Sequence, residues 1–257
     1  IERSLRQPMN VLIKDEPKLK TFPVVEIFGP TIQGEGAEAG LPCHFVRLGG
    51  CDFRCSWCDT MYAVEPSEVR RNSESLTSEE IASRVKGLKE GPDWVVLSGG
   101  NPALHDLGNL VGSLHEMGRK VAVETQGSVW RPWLADVDRL TISPKPPSSN
   151  MATEAHRVQL DRFMSQAKAA PKESLAMKIV CFDEEDLLWA KGIASSWPEI
   201  DLFLSAGTPV PSPTDLRSAV AARFRWLCEK VAEDPELAQA RVLPQLHVIA
   251  WADTRGV

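Results

Sequence analysis

No segment of this chain approaches the roughly eighteen consecutive apolar residues that a membrane-spanning helix requires, so none is expected. The first twenty residues, IERSLRQPMNVLIKDEPKLK, also lack the apolar h-region of a secretory signal and interleave charges with short apolar pairs. The chain opens on Ile1 rather than Met, which raises the expectation of a trimmed upstream piece. Dense Lys/Arg runs are missing too. With 29 basic and 35 acidic residues the net charge is −6, the wrong sign for a protein that binds by neutralising phosphates. A small-molecule substrate is the simpler expectation, with no nucleic acid and no membrane as partner. Internal repeats and low-complexity tracts are absent. What remains is an ordinary globular composition, 43% hydrophobic and 25% charged over 257 residues, enough for one large α/β domain or two small ones.

A missing fourth thiol says more. Of six cysteines, Cys51, Cys55 and Cys58 fall within CDFRCSWCDT at the spacing C-x3-C-x2-C. A closed structural zinc site needs four ligands. Three thiolates on one loop suit a [4Fe–4S] cluster whose fourth iron stays open to a non-protein ligand. Clustered thiols without a signal peptide read as metal binding in a reducing, cytoplasmic compartment, not as a disulfide framework. Cys181 in LAMKIVCF and Cys228 in AARFRWLCEKVAE read as buried packing residues, as does Cys43 just before a strand. The competing zinc reading would recruit Cys43 or His44 as fourth ligand.

Apolar runs alternate with helical patterns, which predicts an α/β fold with a largely parallel sheet. Strands are expected over 24–28, 44–48, 94–98, 120–124, 139–143, 175–182, 201–204 and 242–251. Helices are expected over 77–90, 104–117, 156–169, 184–195 and 214–233, the first opened by a capping box of Thr77 and Glu80. GPTIQGEGAEAG reads as a glycine-rich turn between the first two strands, and 65–75 as a flexible insertion. SGGNP, ETQG, SPKPP and SAGTP each follow a strand, and the cysteine loop follows strand 44–48. Sheets and barrels of this class build their sites on that edge, so the chemistry is expected at one mouth.

These residues resemble the radical S-adenosylmethionine superfamily, whose C-x3-C-x2-C signature carries an aromatic, here Trp57, before the third cysteine. GPTIQGEG, FVRLGGCDFRCSWCDT, SGGNPAL, ETQGSV, LTISPKPPSS and RVLPQLH narrow the resemblance to the 7-carboxy-7-deazaguanine synthases, over about Phe22 to Val257. The resemblance implies an α/β fold, a partial TIM-like (β/α)6 barrel with a shortened helix complement. A core domain would span 22–257 and end in a substrate-closing segment, behind an N-terminal arm over 1–21. It implies conversion of 6-carboxy-5,6,7,8-tetrahydropterin to 7-carboxy-7-deazaguanine with release of ammonia. A [4Fe–4S] cluster, S-adenosylmethionine, Mg2+, a homodimer and an electron donor such as flavodoxin or ferredoxin come with it. The rivals are a glycyl-radical-enzyme activase and a non-enzymatic iron–sulfur redox protein.

Roles carry over residue by residue. Cys51, Cys55 and Cys58 would ligate three irons. Thr60 would offer magnesium a hard oxygen, against the plainer alternative of a hydroxyl capping the next turn. Trp57, Cys58, Asp59, Gly99, Gly100, Asn101, Glu124, Thr125, Ser143, Pro144 and Lys145 match cofactor contacts, and Ser205 to Thr208 would wrap the cofactor from the last strands. Asn101 stands where many relatives carry Glu, so it would accept from an ammonium group without a charge. On the substrate side fall Ile32, Gln33, Gly34, Glu35, Arg47, Ser98, Gln245 and His247. Gln33 offers donor and acceptor to a pterin edge. Arg47 could grip a carboxylate with two parallel hydrogen bonds. Some relatives end in a proline near the substrate; this chain runs on through Trp251 to Val257, so that contact does not carry over. No residue is assigned the later proton removal.

Overall fold

The computed structural model describes residues 20–208, 214–252 and 254–256; most of the expected N-terminal arm lies outside them. The strands are β1 (Phe22–Ile32), β2 (Pro42–Leu48), β3 (Glu74–Leu76), β4 (Trp94–Gly99), β5 (Lys120–Thr125), β6 (Arg139–Ile142), β7 (Leu175–Cys181), β8 (Asp201–Ala206) and β9 (Arg241–Leu243). They form one sheet in the order β3-β1-β2-β4-β5-β6-β7-β8-β9. β1 runs antiparallel to both its neighbours. From β2 through β9 every pairing is parallel. No pairing joins β3 to β9 among the described residues, so the sheet stays open, an incomplete barrel.

Helices α1 (Pro66–Asn72), α2 (Ser78–Lys86), α3 (Gly108–Glu116), α4 (Glu154–Ala167), α5 (Glu184–Ala194), α6 (Leu216–Ala232) and α7 (Leu246–Trp251) fill the connections. Between β5 and β6 a 3-10 turn, Pro132–Ala135, replaces the helix. The Thr77–Glu80 capping box is present, each side chain bonding the other's backbone N–H. Val46, Leu48, Val95, Leu97, Val123, Ile142, Met177, Ile179 and Leu204 face the helices and form the main core. Alternate residues point to the opposite, inner face. At its base lie Cys43, Val96 and Ala122 with Phe45 and Trp94 packed against them. Toward the strand C-termini that face turns polar, with Arg47, Ser98, Glu124, Thr141, Lys178 and Ser205.

Three expectations need correction. β1 continues to Ile32 through a register break between Phe28 and Thr31, so the first third of the expected glycine turn is strand; a bulge is where a sheet tolerates Pro30. Residues 65–75 are not a loose insertion. Pro66 sits in the first turn of α1, where its missing N–H costs nothing, and β3 then pairs with β1 at the sheet edge. The expected strand over 242–251 divides into β9 and α7, because Pro244 cannot donate to a ladder. Cys43 and Cys181 are buried as expected, whereas Cys228 on α6 is only half-buried.

Candidate active site

The C-termini of the parallel strands deliver their parts of the site to one edge, while the loop after antiparallel β1 enters from the opposite edge. β2 leads into the cysteine loop, where Cys51, Cys55 and Cys58 are half-buried. The three thiols interact electrostatically with one another, and burial raises all three in pKa, Cys55 to about 11. They are therefore protonated in the bare protein, and metal loading must displace those protons. Phe53 N–H and the Gln126 amide point at Cys51 Sγ at 3.4 and 3.7 Å. Such donors favour thiolate character once iron is bound. Among the described residues, no three His, Cys, Asp or Glu side chains gather as around a single metal ion. The zinc alternative also fails on distance: His44 lies four residues before the end of β2, about 13 Å along the strand. Cys43, further back, has its thiol pushed up to about 12 by burial.

The loop is braced from the β6 and β7 ends. Trp57 Nε1 donates to Ser148 Oγ at 3.0 Å, and Ser56 Oγ to the Ser148 carbonyl at 2.7 Å. Ser148 in turn is held by Asp186, a fully buried carboxylate that accepts from Ser148 N, Ser148 Oγ and Phe182 N at 2.9, 2.6 and 2.9 Å. The Trp57 ring packs on Phe182 at 5.2 Å. Lys145 Nζ donates to Ser143 Oγ at 2.9 Å and lies 6.0 Å from the Trp57 ring centre. A cavity of 320 Å³ opens beside these groups, lined in part by Phe53, Gln126, Pro144, Lys145, Met151 and His156.

Gly99 and Gly100 are glycine for a backbone reason. A Cβ on Gly99 would lie 2.0 Å from Leu48 O, and one on Gly100 2.1 Å from Gly50 O. The pair thus lets the β4 end press against the start of the cysteine loop, where Gly100 N and Asn101 N donate to Leu48 O and Gly50 O. Asn101 is fully buried. Its Oδ1 already accepts from Thr125 Oγ1 and Ala103 N at 2.8 and 3.2 Å, and its Nδ2 donates to Asp52 and Ser128 at 3.0 and 3.1 Å. The acceptor expected for an ammonium group is therefore occupied inside the protein, and so is the Thr125 hydroxyl. Gln126 donates to the same Asp52 oxygen at 2.5 Å, so the charge near this turn belongs to Asp52.

Thr60 does not cap the turn Met61–Ala63 with its side chain. Its hydroxyl instead donates to Asp59 at 2.6 Å, placing two oxygens side by side just past Cys58.

On the inner face Gly34 meets α7. A Cβ there would lie 2.2 Å from His247 Nδ1, and Leu246 N donates to the Gly34 carbonyl at 3.0 Å. Glu35 accepts from Gln245 Nε2, and Gln245 Oε1 in turn accepts from Thr208 Oγ1. Burial works to raise the Glu35 carboxyl, but Lys178, His247 and these hydrogen bonds outweigh it and bring it to about 2. Gln33 folds its Oε1 back onto Gly34 N at 2.8 Å. Arg47 commits Nε to Glu26 at 2.9 Å, and Arg255 occupies the other Glu26 oxygen. The terminal nitrogens of Arg47 make no hydrogen bond among the described residues. Ser98 Oγ and Ser205 Oγ are buried on the same face without a partner there, as expected of hydroxyls that await a ligand.

The structure thus brings Glu35, Glu124, Gln245 and His247 together, and the cofactor candidates Trp57, Ser143 and Lys145 at the neighbouring loop. Reading the sequence missed Lys178, Asp186 and Asp52. Lys178 had a signal: a lone charge within the apolar run LAMKIVCF.

The model of the radical SAM superfamily matches residues 45–168. The chain is 41% identical over 244 residues to 7-carboxy-7-deazaguanine synthase of Bacillus subtilis (strain 168), covering 93% of the chain and 99% of that protein. A protein of the same name from Thermoplasma acidophilum is 31% identical over 237 residues, covering 91% and 99%. Among solved structures, QueE from Escherichia coli matches with TM-score 0.61 at 22% identity, over 88% of this chain and 95% of that one. Streptococcus suis SuiB bound to S-adenosylmethionine matches at 0.51 and 14%, over 77% and 49%. At these identities the two structures speak for the fold alone.

Proposed function

The chain belongs to the 7-carboxy-7-deazaguanine synthase family of radical SAM enzymes, and from that premise we propose how its residues divide the work. The reaction is the conversion of 6-carboxy-5,6,7,8-tetrahydropterin to 7-carboxy-7-deazaguanine with release of ammonia. Cys51, Cys55 and Cys58 hold three irons of a [4Fe–4S] cluster, and the donor set fits: three adjacent thiols with no fourth. When bound, the cluster and S-adenosylmethionine would supply the one-electron, radical-initiating chemistry that protein side chains cannot.

The chain's own residues bind and orient. Glu35, ionised at neutral pH, is an acceptor for the amino-pyrimidinone N–H groups, and Gln245 fixes its rotamer. Arg47 keeps its terminal nitrogens for the substrate carboxylate while Glu26 holds the stem. Ser98 and Ser205 offer hydroxyls from the strands between. Thr60 would offer Mg2+ a hard oxygen, with the Asp59 carboxylate beside it. The resemblance also supports a homodimer, an external one-electron donor such as flavodoxin or ferredoxin, and a cytoplasmic setting.

One observation carries the reading. The loop after antiparallel β1 leaves the opposite edge but carries Glu35 over the inner face to Gln245, just past β9, and through Lys178 to Glu124 near the end of β5. Those strand ends run parallel to the one feeding the cysteine loop. Anaerobically reconstituted, reduced protein given the carboxypterin and S-adenosylmethionine is expected to form 7-carboxy-7-deazaguanine. No such product would sink the assignment. Thr60→Ala is expected to lose magnesium dependence while retaining its iron.

A further inference from the structure

β7 is buried along its whole length, and Lys178 is its only charged residue. Met177, Ile179 and Cys181 belong to the helix-facing core, so Lys178 points to the inner face. Its ammonium meets Glu35 Oε2, and Glu124 Oε1 at 2.6 Å; the side chain is 4% exposed, against 14% for Glu35 and 28% for Glu124. A buried ammonium persists only when paired. Burial opposes its charge, yet Glu124 and Glu35 together raise its pKa above the ordinary lysine value.

The two carboxylates come from distant parts of the chain, one on the loop after β1 and one at the end of β5. One cation serves both. Gln245 takes the second oxygen of Glu35, whereas the second oxygen of Glu124 makes no hydrogen bond among the described residues. Glu124 is therefore pinned at one oxygen and open at the other, on the more exposed side of the trio.

We propose that Lys178 is a positioning residue: its shared ammonium sets the spacing of Glu35 and Glu124 so that both present lone pairs to the N–H edge of one substrate ring. This rests on the pterin reading of the site. It reassigns Glu124 from the adenosylmethionine side to the substrate side.

The consequence is a pH signature. The groups facing Glu35 are Lys178 on β7, Glu124 on β5 and His247 on α7, with the Glu38–Arg139 pair next along the same face. Without Lys178, two like charges share a desolvated space, and one carboxylate takes up a proton. A protonated carboxyl donates where the substrate needs an acceptor.

The test compares wild type, Lys178→Met, Lys178→Arg and Glu124→Gln from about pH 6 to about pH 9, by steady-state kinetics and by quenching of tryptophan fluorescence with 6-carboxypterin. Lys178→Met is expected to raise KM and the pterin Kd about tenfold or more at the acid end, with partial recovery toward the alkaline end and less effect on kcat. Lys178→Arg should keep the wild-type pH profile. Glu124→Gln, at a more exposed position, should weaken pterin binding without a new pH dependence. A Lys178→Met profile parallel to wild type, with only Tm lowered, would overturn the inference, as would wild-type pterin affinity in Glu124→Gln. Wild-type product formation in the same assays reports separately on the pterin reading, so the two failures are distinct.

Discussion

Gly34→Ala adds one methyl group where the structure leaves no room, and its consequences can be worked through. The new Cβ would sit 2.2 Å from His247 Nδ1, 2.9 Å from its Cγ and 3.0 Å from its backbone N. The first contact falls about 1.2 Å short of ordinary van der Waals separation. Two escapes exist. Rotating the imidazole relieves the ring contacts but withdraws His247 from Glu35 and leaves the 3.0 Å backbone contact. Shifting α7 relieves all three, but it breaks the Leu246–Gly34 hydrogen bond and drags Gln245 off Glu35. Overpacking costs about 1–3 kcal/mol, and each lost hydrogen bond about 1 kcal/mol. α7 buries little beyond Val248, so the strain should be released locally, with Tm falling by only a few degrees. A misplacement near 1 Å at a substrate-contacting group is worth about 100-fold in rate. The expected result is kcat/KM reduced by about 10- to 100-fold, mostly through KM, with iron content unchanged after reconstitution. Wild-type KM in Gly34→Ala would refute the docking of α7 as part of the substrate site.

Asn101→Glu would restore the residue many relatives carry, yet it is expected to harm this protein. It removes the Nδ2 donor that bonds Asp52 and Ser128 and places a buried carboxylate against Asp52, so a loss of about 2–4 kcal/mol should show in chemical denaturation; unchanged stability would contradict the network. Asp186→Ala strips the Ser148 and Phe182 amides of their acceptor. It should lower iron retained per chain by loosening Trp57, measured after anaerobic reconstitution and gel filtration, with wild-type retention as the refuting outcome. Glu35 is depressed from its ordinary 4.5 to about 2, so its contribution is fully present above pH 4.5 and is lost as pH falls toward 2, about 3 kcal/mol in all. Acid titration of unfolding should show this limb in wild type and a shallower one in Glu35→Gln; identical limbs would mean the pairing adds no stability.

Much of the site was legible because its parts are local in sequence. The three cysteines lie within eight residues, so their spacing alone reports a shared loop. The strand ends were legible because buried parallel strands read as apolar runs and stop at polar or glycine-rich segments. The same property misled at the C-terminus. Val242 to Trp251 is mostly apolar, and a short apolar run does not separate a strand from a buried helical turn by periodicity. There Pro244 was the better guide, since it ends β9 on simple hydrogen-bond grounds.

What stayed hidden is what depends on partners far apart in the chain. Asn101 illustrates it: from sequence it is an acceptor in the place of a glutamate, and only the fold reveals that Thr125 and Ala103 already use its oxygen. Gly99 and Gly100 look like room for a ligand, yet the space a Cβ would take is filled by Leu48 and Gly50. Lys178 shows the converse. A charge inside a buried strand is too costly to keep without partners, so its presence in LAMKIVCF already required buried carboxylates across the inner face. Physical cost could have flagged the residue, though not which carboxylates answered it. A lone charge in an apolar strand is therefore worth treating as a site candidate before any coordinates exist. Here that rule would have pointed to the cation that joins Glu35 to Glu124.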